Sequence, residues 1–184
     1  AKRQATTLLT RPAAESTPIA ETAAPEAPAT AMPESGVTTF VEKAAISDMF
    51  EIESAKIAIE RSKVKPVTDF AKMMVDMHTA SSAELAPLAT AAGVTTPTAL
   101  DEDHLKKLED LRAAKDQDFD DLYIDQQTAA HSAALDLTKN YANDGKDAAL
   151  QAFAAKLAPE VDKHLLAIKA LDKSPADDVT KPTN

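Results

Sequence analysis

The chain has 184 residues, enough for one domain with a sizeable core and too few for two large ones. It is 44% hydrophobic but only 4% aromatic, with three glycines and no tryptophan, which suits Ala- and Leu-rich helices packed on one another and fits a β-sandwich poorly. A net charge of −10 argues against nucleic acid or an anionic membrane surface as partner, and the lack of cysteine excludes disulfides and thiolate sites, leaving His, Asp and Glu as metal ligands.

Residues 1–36 hold five of the 11 prolines among Ala, Thr and Glu without any sustained period, and read as a disordered tether; a tail with no role is the alternative. No apolar run approaches the roughly 20 residues of a membrane span, and no signal-peptide core is visible. The first residue is Ala1 rather than Met, and removal of a targeting segment is the expectation that goes with it. From there the glycines punctuate helices. Gly36 precedes a first helix over about Thr39–Lys63, and Pro66 opens a second that runs to about Ala92. Gly93 and Gly145 are expected to be left-handed residues ending the helices before them. A short helix over DEDHLKKLEDLRAA starts near Asp101, and a third long helix runs to about Asn143, capped by Asp116 or Asp118. The fourth spans about Asp147–Leu171, and residues 173–184 read as a second disordered tail. The whole predicts an all-α four-helix bundle over residues 37–172, with one short extra helix connecting its second and third long helices.

The seams carry polar residues at matching heights. In the second helix, steps of three and four give Val67, Ala71, Met74, His78, Ser81, Leu85 and Leu88; in the third, Tyr123, Gln127, His131, Ala134, Thr138 and Tyr141. The fourth gives Leu150, Phe153, Leu157, Glu160, His164, Ala167 and Leu171, so Leu157 and Glu160 both read as core-facing. In the first, the small residues Ala44, Ser47, Ala55 and Ala58 surround Glu51. Helix midpoints place Glu51, His78 and His131 at one level and His164 about one turn away, roughly 6 Å, with Glu160 a closer match in height. Pro159 is expected to loosen that helix and absorb the offset. Elsewhere, Met73, Met74 and Met77 have the spacing of core filler, although they would also suit copper, and the acidic runs DEDH and DQDFDD sit where helix capping explains them. His104 is expected to be solvated.

The segments FEIESAKIA (50–58), FAKMMVDMHTASSAEL (70–85), FDDLYIDQQTAAH (119–131) and FAAKLAPEVDKHL (153–165), in that order, resemble a group of bacterial envelope proteins known only as domain of unknown function 4142. The resemblance spans about residues 39–171. It implies a ferritin-like fold and a periplasmic or outer-membrane-associated location, reached through an export signal or lipoprotein anchor, and it implies no reaction. That family has Asp directly before its first histidine; here Met77 stands there, with Asp76 one place earlier.

Ferritin-like di-iron sites use a Glu-x-x-His pair on each of two helices. Here the residues three before His78, His131 and His164 are Val75, Thr128 and Val161, which argues against oxygen-activating di-iron chemistry. Glu51, His78, His131 and His164 could instead complete one site for Zn, Cu or Fe, with Glu160 as an alternate or supporting carboxylate. Two readings of this non-catalytic bundle stand open. One is a mononuclear metal site; the other is a metal-free polar cluster fixing helix register in a structural or protein-interaction bundle of envelope maintenance or stress.

Overall fold

The structure, a computed structural model, describes residues 35–172. The sequence-based tether over 1–36 and the tail over 173–184 lie almost wholly outside that range. The described elements are all helical: α1 (Ser35–Arg61), α2 (Lys65–Ala91), α3 (Glu102–Ala113), α4 (Asp116–Asp144) and α5 (Ala148–Asp172).

Two antiparallel hairpins, α1–α2 and α4–α5, pack side by side, and the crossover carrying α3 joins them. α1 neighbours α4, since Phe40 stacks on Tyr141 with ring centroids 3.9 Å apart at one end while Gln127 Nε2 donates to Ser54 Oγ at 3.1 Å further along. Those two pairs run in opposite senses, so α1 and α4 are antiparallel. Lys156 pairs with Glu84 across α5 and α2 at 2.7 Å. The resulting order is up, down, down, up, a four-helix bundle with one long crossover.

α1 begins four residues earlier than its sequence pattern suggested, because Val37, Phe40 and Val41 are themselves core residues, and Gly36 therefore lies within the first turn. α2 ends as expected. Gly93 has φ +74°, and the bonds Val94 N to Ala89 O and Gly93 N to Thr90 O close a Schellman motif beneath buried Val94. Gly145 is different: its φ is −57°, so no left-handed residue ends α4. A Cβ there would fall 2.5 Å from Tyr141 O and 2.6 Å from the Tyr141 ring, so close approach is what requires glycine.

α3 is capped by Asp101, whose side chain accepts from His104 N. α4 is not capped by either aspartate expected. Its cap is Lys115 with no side-chain bond, because Asp116 is drawn to Arg61 at 2.9 Å. The same guanidinium donates to Leu111 O and Ala114 O, both at 2.6 Å, and lies over the Phe119 ring, so one residue of α1 fixes the end of α3 and the start of α4.

The apolar core falls into two clusters. One holds Phe50, Met74, Phe119, Tyr123, Leu165 and Ile168; the other holds Phe40, Leu85, Tyr141, Leu150 and Phe153. Met74 is core, whereas Met73 and Met77 are each 38% exposed, against the expectation of filler. On α5 the buried face advances through Ala154, Ala158, Val161, Leu165 and Ile168, one position round from the expected seam. That shift leaves Leu157 half-buried and moves Glu160 to the flank, where it pairs with Lys163 at 2.8 Å. His104 is not simply solvated: it bonds Asp101 at 2.6 Å and packs edge-on against Phe50.

Candidate metal centre

Between the two apolar clusters lies a polar layer to which all four long helices contribute. Asp48 and Glu51, three residues apart, share the inner face of α1; His78 comes from α2, His131 from α4 and His164 from α5, and all five are buried. One nitrogen from each histidine lies within 4.8 Å of the others, and the ring centroids are 5.6 to 6.1 Å apart. The His164 ring centroid is 6.1 Å from that of His78 and 5.6 Å from that of His131, so the offset in height that the sequence implied does not keep it out of the cluster.

Two of the rings are held by their outer nitrogens. His78 Nδ1 is 2.8 Å from Asp48 Oδ1, and His131 Nδ1 is 2.9 Å from the Gln127 carbonyl. A carbonyl only accepts, so His131 Nδ1 carries the proton and Nε2 keeps its lone pair; the Asp48 carboxylate likewise holds a proton on His78 Nδ1, so that Nε2 is the nitrogen that offers a lone pair when that ring is neutral. His78 Nε2, His131 Nε2 and His164 Nδ1 are buried without a hydrogen-bond partner in the protein. Orienting a ligand through its far nitrogen, with the near one left free, is the arrangement metal-binding histidines adopt.

Glu51 stands elsewhere in the layer. Its Oε1 is 3.7 Å from His131 Nδ1, the nitrogen already engaged with Gln127, and its Oε2 has no partner in the protein. It lies at the outer edge of that ring and outside the group of three converging nitrogens. Burial pushes the Glu51 carboxyl up to about 7, against the pull of His78 and the Gln127 amide. Glu160, on the surface with Lys163, does not enter the layer.

Burial, with the neighbouring histidines, pushes His131 down to about 3 and His164 down to about 4. Both are neutral near pH 7, the form that binds a metal. Burial also acts to lower His78, but the Asp48 hydrogen bond and the charges of Glu51 and Asp48 outweigh it and raise that group. Asp48 escaped the sequence reading. It sits four residues after Ala44 and three before Glu51, so helical stepping could have found it, but Ser47 satisfied the same pattern. Asp76, beside His78 in sequence, is exposed.

A cavity of about 130 Å³ opens between α2 and α5, lined in part by Met77, His78, Ser81, Leu157, Val161 and His164. Two of the three imidazoles thus border a passage toward solvent. Tetrahedral zinc with bonds of about 2.0–2.1 Å needs ligand nitrogens roughly 3.3 Å apart, so separations of at most 4.8 Å call for side-chain rotation and not for movement of helices.

The family described as a domain of unknown function (DUF4142) matches residues 22–171. The chain belongs to that family. Its match takes in the whole polar layer, from Asp48 to His164. No curated protein matches the chain. Among solved structures it is similar to a DUF305 fragment from Deinococcus radiodurans, with a TM-score of 0.66 at 10% identity over 76% of this chain and 96% of that one. At that identity the likeness concerns the fold alone. No described helix is long and apolar enough to cross a membrane.

Proposed function

We propose that this DUF4142 protein binds one divalent transition metal through His78, His131 and His164, with Asp48 and the Gln127 carbonyl orienting two of the ligands. The observation that carries the reading is the convergence of three buried imidazoles from three helices, each with one ring nitrogen that has no partner in the protein. A buried polar atom without a partner costs about 1–3 kcal/mol, and one ion offsets that cost at three atoms together. Imidazole suits Zn, Cu and Fe. The centre lacks the carboxylate pairs of di-iron enzymes, which favours a binding role over oxygen activation. A periplasmic or outer-membrane-associated location belongs to the same proposal, supported by the likeness to envelope proteins and by the Pro-rich composition of residues 1–36.

Full-length protein isolated without chelator should contain close to one equivalent of metal. Its melting temperature should fall on chelation, and His131→Ala should lose both the metal and that response. The proposal is refuted by protein that carries no metal, takes none from buffered zinc and copper series, and melts identically with and without chelator. The layer would then be a device for helix register only.

A further inference from the structure

A closed structural site takes four ligands from the protein, whereas a site that binds or transforms something keeps one position open. Among the described residues three nitrogens converge, not four groups. The cavity between α2 and α5 is bordered by two of those ligands, His78 and His164, and by Ser81.

Ser81 is unusual among the buried helical serine and threonine hydroxyls of the described residues, since Ser54 and Thr138 both donate to earlier carbonyls. Thr90 and Thr138 bond back to carbonyls four residues earlier, at 3.1 and 2.8 Å, the usual arrangement for such side chains. Ser81 Oγ, on a residue only 8% exposed, makes no such bond and has no partner in the protein. It follows His78 by three residues, so it projects from the same face of α2 one turn further on, where Cβ atoms stand about 5–6 Å apart. A ligand about 2 Å beyond a metal held by His78 falls within reach of a hydroxyl so placed. Besides Met77, Leu157 and Val161, the lining includes Glu84, Lys156 and Glu160, whose charges are paired as Glu84–Lys156 and Glu160–Lys163, and the space suits a group of a few atoms.

We infer that the metal keeps an exchangeable fourth position facing this cavity, that a small monodentate anion can displace water from it, and that the Ser81 hydroxyl donates a hydrogen bond to the bound anion. This rests on the metal reading above and adds to it an exogenous ligand and the residue that recognises it. The exchange is a substitution at the metal: water leaves, the anion enters, and no electron is transferred.

The test uses full-length protein loaded with cobalt(II), its stoichiometry fixed by metal analysis, and titrated with sodium azide while the visible spectrum is recorded. Wild type should show a saturable spectral change. Ser81→Ala should keep one equivalent of cobalt and bind azide about tenfold more weakly, the loss of one hydrogen bond to a charged group, with Ser81→Thr restoring affinity. A spectrum indifferent to azide at one equivalent of cobalt overturns the open position and leaves the metal reading standing. Equal azide affinity in wild type and Ser81→Ala overturns the role of Ser81. Failure to bind cobalt, zinc or copper removes the metal reading and this inference with it.

Discussion

Replacing Asp48 by asparagine removes the charge behind His78 while leaving an oxygen able to accept from Nδ1. In the native protein that contact is 2.8 Å long between two buried side chains, with Ser82 Oγ donating to the other carboxylate oxygen at 3.2 Å. The carboxylate fixes the ring orientation, keeps the proton on Nδ1 and makes Nε2 a better donor to a metal. Loss of such a partner weakens metal binding by about 10- to 100-fold, equivalent to about 1.4–2.8 kcal/mol. Competition for zinc against a chromophoric chelator at neutral pH measures this directly, and NMR titration of the metal-free variant should show His78 protonating at lower pH than in wild type. Asp76→Asn is the control: Asp76 is two residues from His78 in sequence but exposed, and its affinity should be unchanged. Indistinguishable zinc dissociation constants for wild type and Asp48→Asn would refute the argument that Asp48 serves the metal through His78.

Leu165→Ala should destabilise the bundle by about 2–5 kcal/mol in denaturant unfolding, because Leu165 is buried in the core cluster, and Leu157→Ala should cost less, its side chain being half-buried; the reverse order would show that the α5 face has been misjudged. In metal-free protein, stability should fall as pH drops from about 6.5 to about 4.5, by one net proton or about 1.4 kcal/mol per pH unit, and more steeply just below 4.5. His131 and His164, lowered to about 3 and 4 from 6.5, lose stability as pH drops because the unfolded chain takes up protons that the folded chain refuses. Glu51, raised from 4.5 to about 7, and His78, also raised, act oppositely: their contributions grow in acid and are lost as pH rises through their folded values. Below about 4.5 the Glu51 contribution is complete and only the loss continues. Glu51→Gln should therefore roughly double the slope between about pH 6.5 and 4.5, and an unchanged slope in that variant would show that Glu51 does not hold its proton in the folded state.

The helical periods and the glycine positions made the bundle legible, and the three histidines could be assigned to it because each lies on a seam that is mostly apolar along its length. What sequence stepping could not fix was rotation about α5. Steps from Phe153 and from Ala154 both follow apolar residues, and only packing against α2 and α4 selects the second, taking Glu160 out of the core and leaving His164 in it. Asp48 and Ser47 posed the same ambiguity on α1. The Gly145 conformation was hidden for another reason: glycine answers equally to a left-handed backbone or to a close neighbour, and the stacked Tyr141 ring that decides between them belongs to the tertiary structure. The Arg61 cluster was invisible because it joins residues 50 to 55 positions apart.

The three ligands are unequally divided between the hairpins: His78 belongs to α1–α2, His131 and His164 to α4–α5. A chain cut between Val94 and Asp101 would become two fragments, each with half of an apolar interface and neither with three nitrogens. Arg61 on the first fragment would still recognise the carbonyls and Asp116 of the second, so the pieces retain a polar address for each other as well as a greasy one. In such a divided molecule, ion uptake reports that both halves have met, and a metal indicator becomes a readout of fragment complementation.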